Sequence, residues 1–258
     1  MIFDDIKIQQ FIDELCSEYR RLDKQLKHPK HKLPMSFDQY INEKNDSRKI
    51  MISKYFRNIG ALEKLESMIN HLDPFFIAVE YFQSNINLER IQGNELDKRF
   101  KNKLFLKIAA DSLRASFDVY AKFVAWFFDL PNRKDVGFSY KYFIKKLQKY
   151  STNLSEHLNE IYKSDYYKTV NDFRNADKHI GFDRFELDIT RSSQKYEIKT
   201  KRIYPLNENE LETSLVTMCN SLLEMTIFTV DEFSKFELGY NSKNDFEAVI
   251  GDDGFIRI

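Results

Sequence analysis

Glycine and proline are scarce, with 7 and 5 residues in a chain of 258. That scarcity argues against sandwiches and barrels, which need a turn residue at short, regular intervals. Long periodic stretches with few breakers instead suit a mainly helical fold. Cysteine is nearly absent too. Cys16 and Cys219 both fall at apolar helical positions without a partner at disulfide-motif or metal-ligand spacing, so a disulfide scaffold is excluded. Both are expected as buried free thiols in a reducing compartment. The most apolar run, Phe123 to Leu130, is far too short to span a bilayer. Asp4 and Asp5 interrupt the start, where a signal peptide would be apolar. These features lead to the expectation of a cytoplasmic protein with no membrane partner. Net charge is missing as well, since Lys plus Arg and Asp plus Glu number 40 each. Gripping nucleic acid through bulk charge is thereby disfavoured, whereas a local site for a few phosphates is not.

Apolar and aromatic residues are plentiful. The hydrophobic fraction is 42%, with 23 Phe and 14 Tyr, which is enough to build a core and too much for a disordered chain. The first helix is expected from about Asp4 to Leu26, with Ile8, Ile12, Leu15, Tyr19, Leu22 and Leu26 as its packing seam. Two prolines break the segment Lys27–Pro34; its His28 and His31 lack a further ligand and read as part of a solvated basic loop. Ser36 is placed to cap a short helix. Asn45-Asp46-Ser47 precedes a long one carrying Met51, Tyr55, Ile59, Leu62, Leu65, Ile69 and Leu72. Asp73-Pro74 reads as another helix start.

Gly93-Asn94 marks a turn, and the longest helix follows from Glu95 to Leu130, ended by Pro131-Asn132. Asp111, Arg114 and Asp118 are the polar residues of its middle. Spacings of three and four favour an internal ion pair on Arg114, the alternative being that Asp111 or Asp118 orients a catalytic histidine. Phe143, Ile144, Leu147 and Tyr150 then form an amphipathic set whose outer face carries Lys141, Lys145, Lys146 and Lys149. An ordinary solvated face is the simpler reading of those lysines, and a strip that steers RNA the other. Beyond Gly181 the period changes to two. Phe185, Leu187 and Ile189 alternate with polar residues, and Tyr196, Ile198 and Ile203 continue the pattern, which predicts a β-hairpin. Asn207 opens the last long helix. Gly251-Asp252-Asp253-Gly254 lacks the ligand ladder and closing Glu of a Ca²⁺ loop. No internal repeat, phosphate-gripping glycine loop or C-x-x-C pattern occurs. The expected organisation is one domain: an N-terminal helical part to about residue 92, a core over about 93–240, and a short tail, 241–258.

The stretch that carries chemistry is Tyr166 to Phe182, YYKTVNDFRNADKHIGF, preceded by Ser164 or Asp165 as a cap. At about 100° per residue, Tyr166, Thr169, Val170, Phe173, Ala176 and Ile180 fall within roughly 60° of Phe173, a core-facing stripe. Asn171, Arg174, Asn175, Lys178 and His179 are expected on the opposite side. Asp177 lies in the expected stripe, and a buried carboxylate there needs a partner. An imidazole can serve as acid or base near neutral pH, and a guanidinium stays charged and grips phosphate oxygens in pairs. Asn175 can hold a phosphate or the imidazole without titrating, while Lys178 and Asn171 can add substrate contacts. Each residue also has a structural alternative: His179 near Gly181 can cap a helix end, and Arg174 can pair with an acid on a neighbouring helix.

Arg174, Asn175 and His179, in the order R-N-x-x-x-H, resemble the signature of HEPN domains. The resemblance implies an antiparallel helical bundle, here with additional N-terminal helices and one inserted β-hairpin. It further implies a metal-independent, cofactor-free endoribonuclease that attacks through the ribose 2′-OH, with Arg174, Asn175 and His179 as its catalytic residues. In such proteins the site is assembled across a homodimer whose motif helices face each other. Defence, stress or toxin–antitoxin systems are the usual setting, with RNA as substrate and an antitoxin or regulatory protein as partner. The second possibility is a non-catalytic HEPN module that binds a nucleotide or a protein. Some HEPN toxins carry a modifiable Tyr two residues after the His; Gly181 stands there in this chain, which puts that route of control in doubt.

Overall fold

In a computed structural model, the described residues are 7–26, 46–88, 95–131, 133–179, 185–192, 195–202, 208–238, 249–250 and 256–257. Within these ranges the side chains of residues 25–26, 46–57, 82–88, 95–103, 176–179, 185–192, 195–202, 208, 234–238, 249–250 and 256–257 are not among those described. The expectations for His28, His31, Ser36, Gly93-Asn94, Gly181, Asn207 and residues 251–254 lie outside the described residues, as does the partner of Asp177. The chain is mainly helical. Its helices are α1 (Ile8–Leu26), α2 (Asp46–Asn70), α3 (Asp73–Leu88), α4 (Glu95–Phe127), the single turn α5 (Lys145–Leu147), α6 (Thr152–Lys163), α7 (Asp165–His179) and α8 (Glu208–Leu238). Between α7 and α8, β1 (Phe185–Ser192) pairs antiparallel with β2 (Lys195–Arg202), in a register from Phe185 opposite Arg202 to Ser192 opposite Lys195. Two short strands, β3 (Val249–Ile250) and β4 (Ile256–Arg257), pair near the end of the chain.

The backbone divides into two compact units, each drawn from three stretches of chain. One comprises residues 1–7, 72–114 and 163–220; the other comprises 8–71, 115–162 and 221–258. Both α4 and α8 contribute residues to each unit. Helix α8 is buried in adjacent pairs that recur every three or four residues: Leu211 and Glu212, Ser214 and Leu215, Met218 and Cys219, Ser221 and Leu222, Met225 and Thr226, Thr229 and Val230, Glu232 and Phe233. This is the a/d rhythm of a helix packed throughout Leu211–Phe233. It also accounts for an ambiguity of composition. Asn209–Phe233 is long and apolar enough to cross a membrane, yet over half of that stretch is packed inside the protein.

The second unit has the more aromatic interior. The Phe233 ring stacks on Phe127 and meets Phe123 and Phe128 edge-on, both at 5.4 Å. Tyr120 is fully buried, and its hydroxyl shares a 2.5 Å hydrogen bond with Thr229 Oγ1, which answers the need of a buried polar group for a partner. Burial pushes that phenol well above its ordinary pKa. A Cβ on Gly60 would come within 2.5 Å of the Trp126 ring, so α2 meets α4 at a point where only glycine fits. In α1 the buried seam is Phe11, Leu15 and Leu22, while Ile8, Ile12 and Tyr19 are half-buried, which turns the helix slightly from its expected face.

Helix α4 ends three residues before the Leu130 expected from sequence. Asp129 takes a left-handed conformation with φ of 53°, and the Leu130 amide donates back to the Ala125 carbonyl at 2.9 Å. That is a Schellman-type stop, unusual in using Asp where glycine is usual. Asp129 is ion-paired with Arg133. Cys219 is buried and its thiol is pushed up by desolvation, whereas Cys16 is only half-buried, in contrast to the expectation for both.

Candidate functional site

Helix α7 begins where Ser164 caps it: the Tyr167 amide donates to Ser164 Oγ at 3.3 Å. Asp165 follows in the first turn, where a carboxylate suits the positive end of the helix, and Lys168 reaches back to it at 3.4 Å. The buried residues of α7 are Tyr167, Val170 and Phe173, whereas Tyr166 and Thr169 are half-buried. Over the described side chains, which stop at Asn175, the buried residues centre near Val170, roughly 60° from Phe173. This offset changes the surroundings of the motif. Arg174 borders the buried stripe, while Asn175, one step further round, is exposed.

The partner across this border is the first part of α4. Arg174 Nε donates to Asp111 Oδ1 at 3.2 Å, with the two side chains 22% and 38% exposed. One turn along, Arg114 Nε donates to Asn171 Oδ1 at 3.4 Å, and its guanidinium lies 5.4 Å from the Tyr167 ring centroid. Residue numbers rise on α4 as they fall on α7, so the two helices run antiparallel through this ladder. Arg114 is only 8% exposed, and an arginine so buried needs such contacts.

Two expectations, for Asp111 and for Asn171, change here. Asp111 pairs with Arg174 on another helix rather than with Arg114 on its own. Asp118 also reaches a loop: its Oδ1 accepts the Phe138 amide at 2.8 Å, and a Cβ on Gly137 would sit 2.9 Å from that oxygen. Asn171, read from sequence as an outward substrate contact, is half-buried and bonded to Arg114. The wheel could have revealed Tyr167, Asn171 and Arg174 as one face, since they are spaced by four and three. The identity of the opposing acid depends on how α4 and α7 are aligned, which no spacing within one helix reports.

Of the expected site residues, Arg174 and Asn175 are adjacent on α7 with their side chains described, and the α7 backbone continues through Lys178 and His179, whose side chains are not described. Chemically, Asp111 occupies the Nε edge of Arg174. Among the described residues nothing else bonds that guanidinium, which leaves its two terminal nitrogens to accept an oxyanion as a fork. The exposed Asn175 amide beside it adds a donor and an acceptor that do not titrate.

Comparison with known protein families matches residues 61–230 to the family described as HEPN_Cthe2314, a Cthe2314-like HEPN domain. The match covers more than half of the chain, and the protein belongs to this HEPN family. No curated protein and no solved structure matches it.

Proposed function

We propose that the protein is a metal-independent endoribonuclease that cleaves RNA by attack of the ribose 2′-oxygen. The observation that carries this reading is Arg174, held by Asp111 through Nε, with no other bond to its guanidinium among the described residues. In the proposed reaction His179 moves the proton, on the 2′-oxygen or the leaving oxygen, and Arg174 meets the charge growing on the phosphorane. Asn175 and Lys178 hold the phosphate. Asn171 acts one step back, through Arg114. A second copy facing α7 supplies the complementary acid or base, so the working unit is a homodimer. A cytoplasmic toxin or defence enzyme, restrained by an antitoxin or regulatory protein, fits such an activity. Family membership alone supports an RNase-type or a nucleotide-binding module equally, and the forked Arg174 beside Asn175 favours the first.

The test is cleavage of single-stranded RNA with EDTA present. Wild type is expected to leave 2′,3′-cyclic phosphate ends and to spare a substrate with 2′-deoxyribose at the cut position. His179→Ala is expected to lose on the order of 10²–10⁴ in rate while remaining folded and dimeric. Equal cleavage by wild type and His179→Ala would trace the activity to a contaminant and return the chain to the binding-module reading.

A further inference from the structure

A second surface lies on the other compact unit, away in sequence from the motif. Between Asp135 and Glu156 the chain carries Lys141, Lys145, Lys146 and Lys149 and no acidic residue at all, although the protein as a whole is neutral. In the same stretch lie Tyr140, Tyr142 and Tyr150, which are 46%, 58% and 43% exposed. They are three of the five large apolar side chains that stand exposed among the described residues.

The backbone explains this crowding. Residues Tyr140–Ile144 form a single widened π-turn, with the Ile144 amide bonded to the Ser139 carbonyl at 3.0 Å, five residues back. Such turns are rare and concentrate at functional positions. The wide turn brings two consecutive residues, Phe143 and Ile144, into the core and leaves three, Tyr140, Lys141 and Tyr142, outside. Lys145 and Lys149 extend the Lys141 row at four-residue steps, and both are exposed. Lys141 Nζ lies over the Tyr142 ring, 5.1 Å from its centroid, so a cation and an exposed aromatic side chain occupy one place. The Tyr140 and Tyr150 rings lean on Tyr162 and Phe128 respectively, which makes Tyr142 the aromatic most available to a ligand.

We infer that this face binds single-stranded nucleic acid, with Tyr142 stacking on a base and the Lys141–Lys145–Lys149 row tracking the phosphates. Flat aromatic faces interleaved with cations fit a flexible polyanion with unpaired bases. A duplex hides its base faces and offers Tyr142 nothing to stack on. The inference takes RNA as the relevant strand from the proposed nuclease reading and rests on it there, but its residues and its test are separate.

The experiment uses the full chain and a fluorescent, cleavage-resistant 2′-O-methyl oligouridylate, both as a single strand and annealed to its complement. Tyr142→Ala is expected to weaken single-strand binding by about 5- to 100-fold, Tyr142→Phe to keep it, and duplex binding to ignore both changes. Three phosphate contacts predict a log–log salt slope of about −2, falling to about zero when Lys141, Lys145 and Lys149 are all changed to Gln. Wild-type affinity in both Tyr142→Ala and the triple variant would overturn the inference, and so would tighter binding to polyglutamate than to the oligonucleotide, which would make this an acidic-protein surface. The two proposals fail independently. Tyr142-dependent binding without any EDTA-resistant cleavage would remove the nuclease and leave this face. His179-dependent cleavage with binding indifferent to Tyr142 would do the reverse.

Discussion

The two parts of α4 are put to opposite uses. From Ala115 onward the helix supplies Phe117, Tyr120, Phe123, Val124 and Phe127 to an aromatic interior held by many ring contacts. Before that point it supplies Asp111 and Arg114, whose value depends wholly on which atoms oppose them on α7. Dispersion between packed rings is summed over many contacts, so removing one ring costs much stability. A guanidinium at the edge of a core has few partners, and losing one leaves the rest misdirected. The aromatic part should therefore govern stability, and the polar part should govern activity with little effect on stability.

The largest effect is expected where aromatic packing is densest. Phe233→Ala removes a ring that contacts Phe123, Phe127 and Phe128, and urea denaturation should show a loss of about 3–5 kcal/mol. A loss below about 1 kcal/mol would mean that the ring cluster is not the stabilising centre described here.

Asp111→Ala comes next and reverses the pattern. Freeing Arg174 Nε should cut EDTA-resistant RNA cleavage by about 10- to 100-fold, as misplacement of a binding group does. Because the pair is partly exposed, stability should fall by no more than about 1 kcal/mol. A stability loss like that of Phe233→Ala would make the pair structural and erase the distinction between the two parts of the helix.

The smallest effect tests a polar contact within the aromatic part. Tyr120→Phe keeps the ring and deletes the hydroxyl, with its short hydrogen bond to Thr229 and its longer one to the Met225 carbonyl, for an expected cost of about 0.5–1.5 kcal/mol by thermal or chemical denaturation. Thr229 retains its own hydroxyl, so Tyr120→Phe combined with Thr229→Val should recover part of that cost. Full additivity of the two changes would argue against the bond.

Much of the helical pattern was legible in the sequence because it depends on local period. Leu62, Leu65 and Leu72 are buried as their spacing requires, and so are Leu211, Leu215, Met218, Leu222 and Met225. Asp73-Pro74 opens α3, and Ser164 is the cap of α7. HEPN membership was legible in Arg174, Asn175 and His179 because a short motif keeps its spacing on a helix. What escaped were matters of rotation and of partner. Tyr166 and Tyr167 are chemically identical neighbours, and only packing decides which one enters the core. The stop at Asp129 relies on a left-handed residue that is not glycine, a choice that local propensity ranks low. Asp111 has Arg114 three residues away on its own helix, and the distant Arg174 wins because α7 lies alongside.

Trp126 is the sole tryptophan of the chain. It is packed against Gly60 on one side, and the Arg133 guanidinium lies 4.2 Å from its ring centroid. All three residues belong to the same compact unit, and the motif helix belongs to the other. Emission excited at 295 nm is thus a private optical channel for one unit, silent about α7. Overlaid on the far-ultraviolet dichroism of the whole chain, it turns a melting curve into a readout of whether the two units come apart together or one at a time.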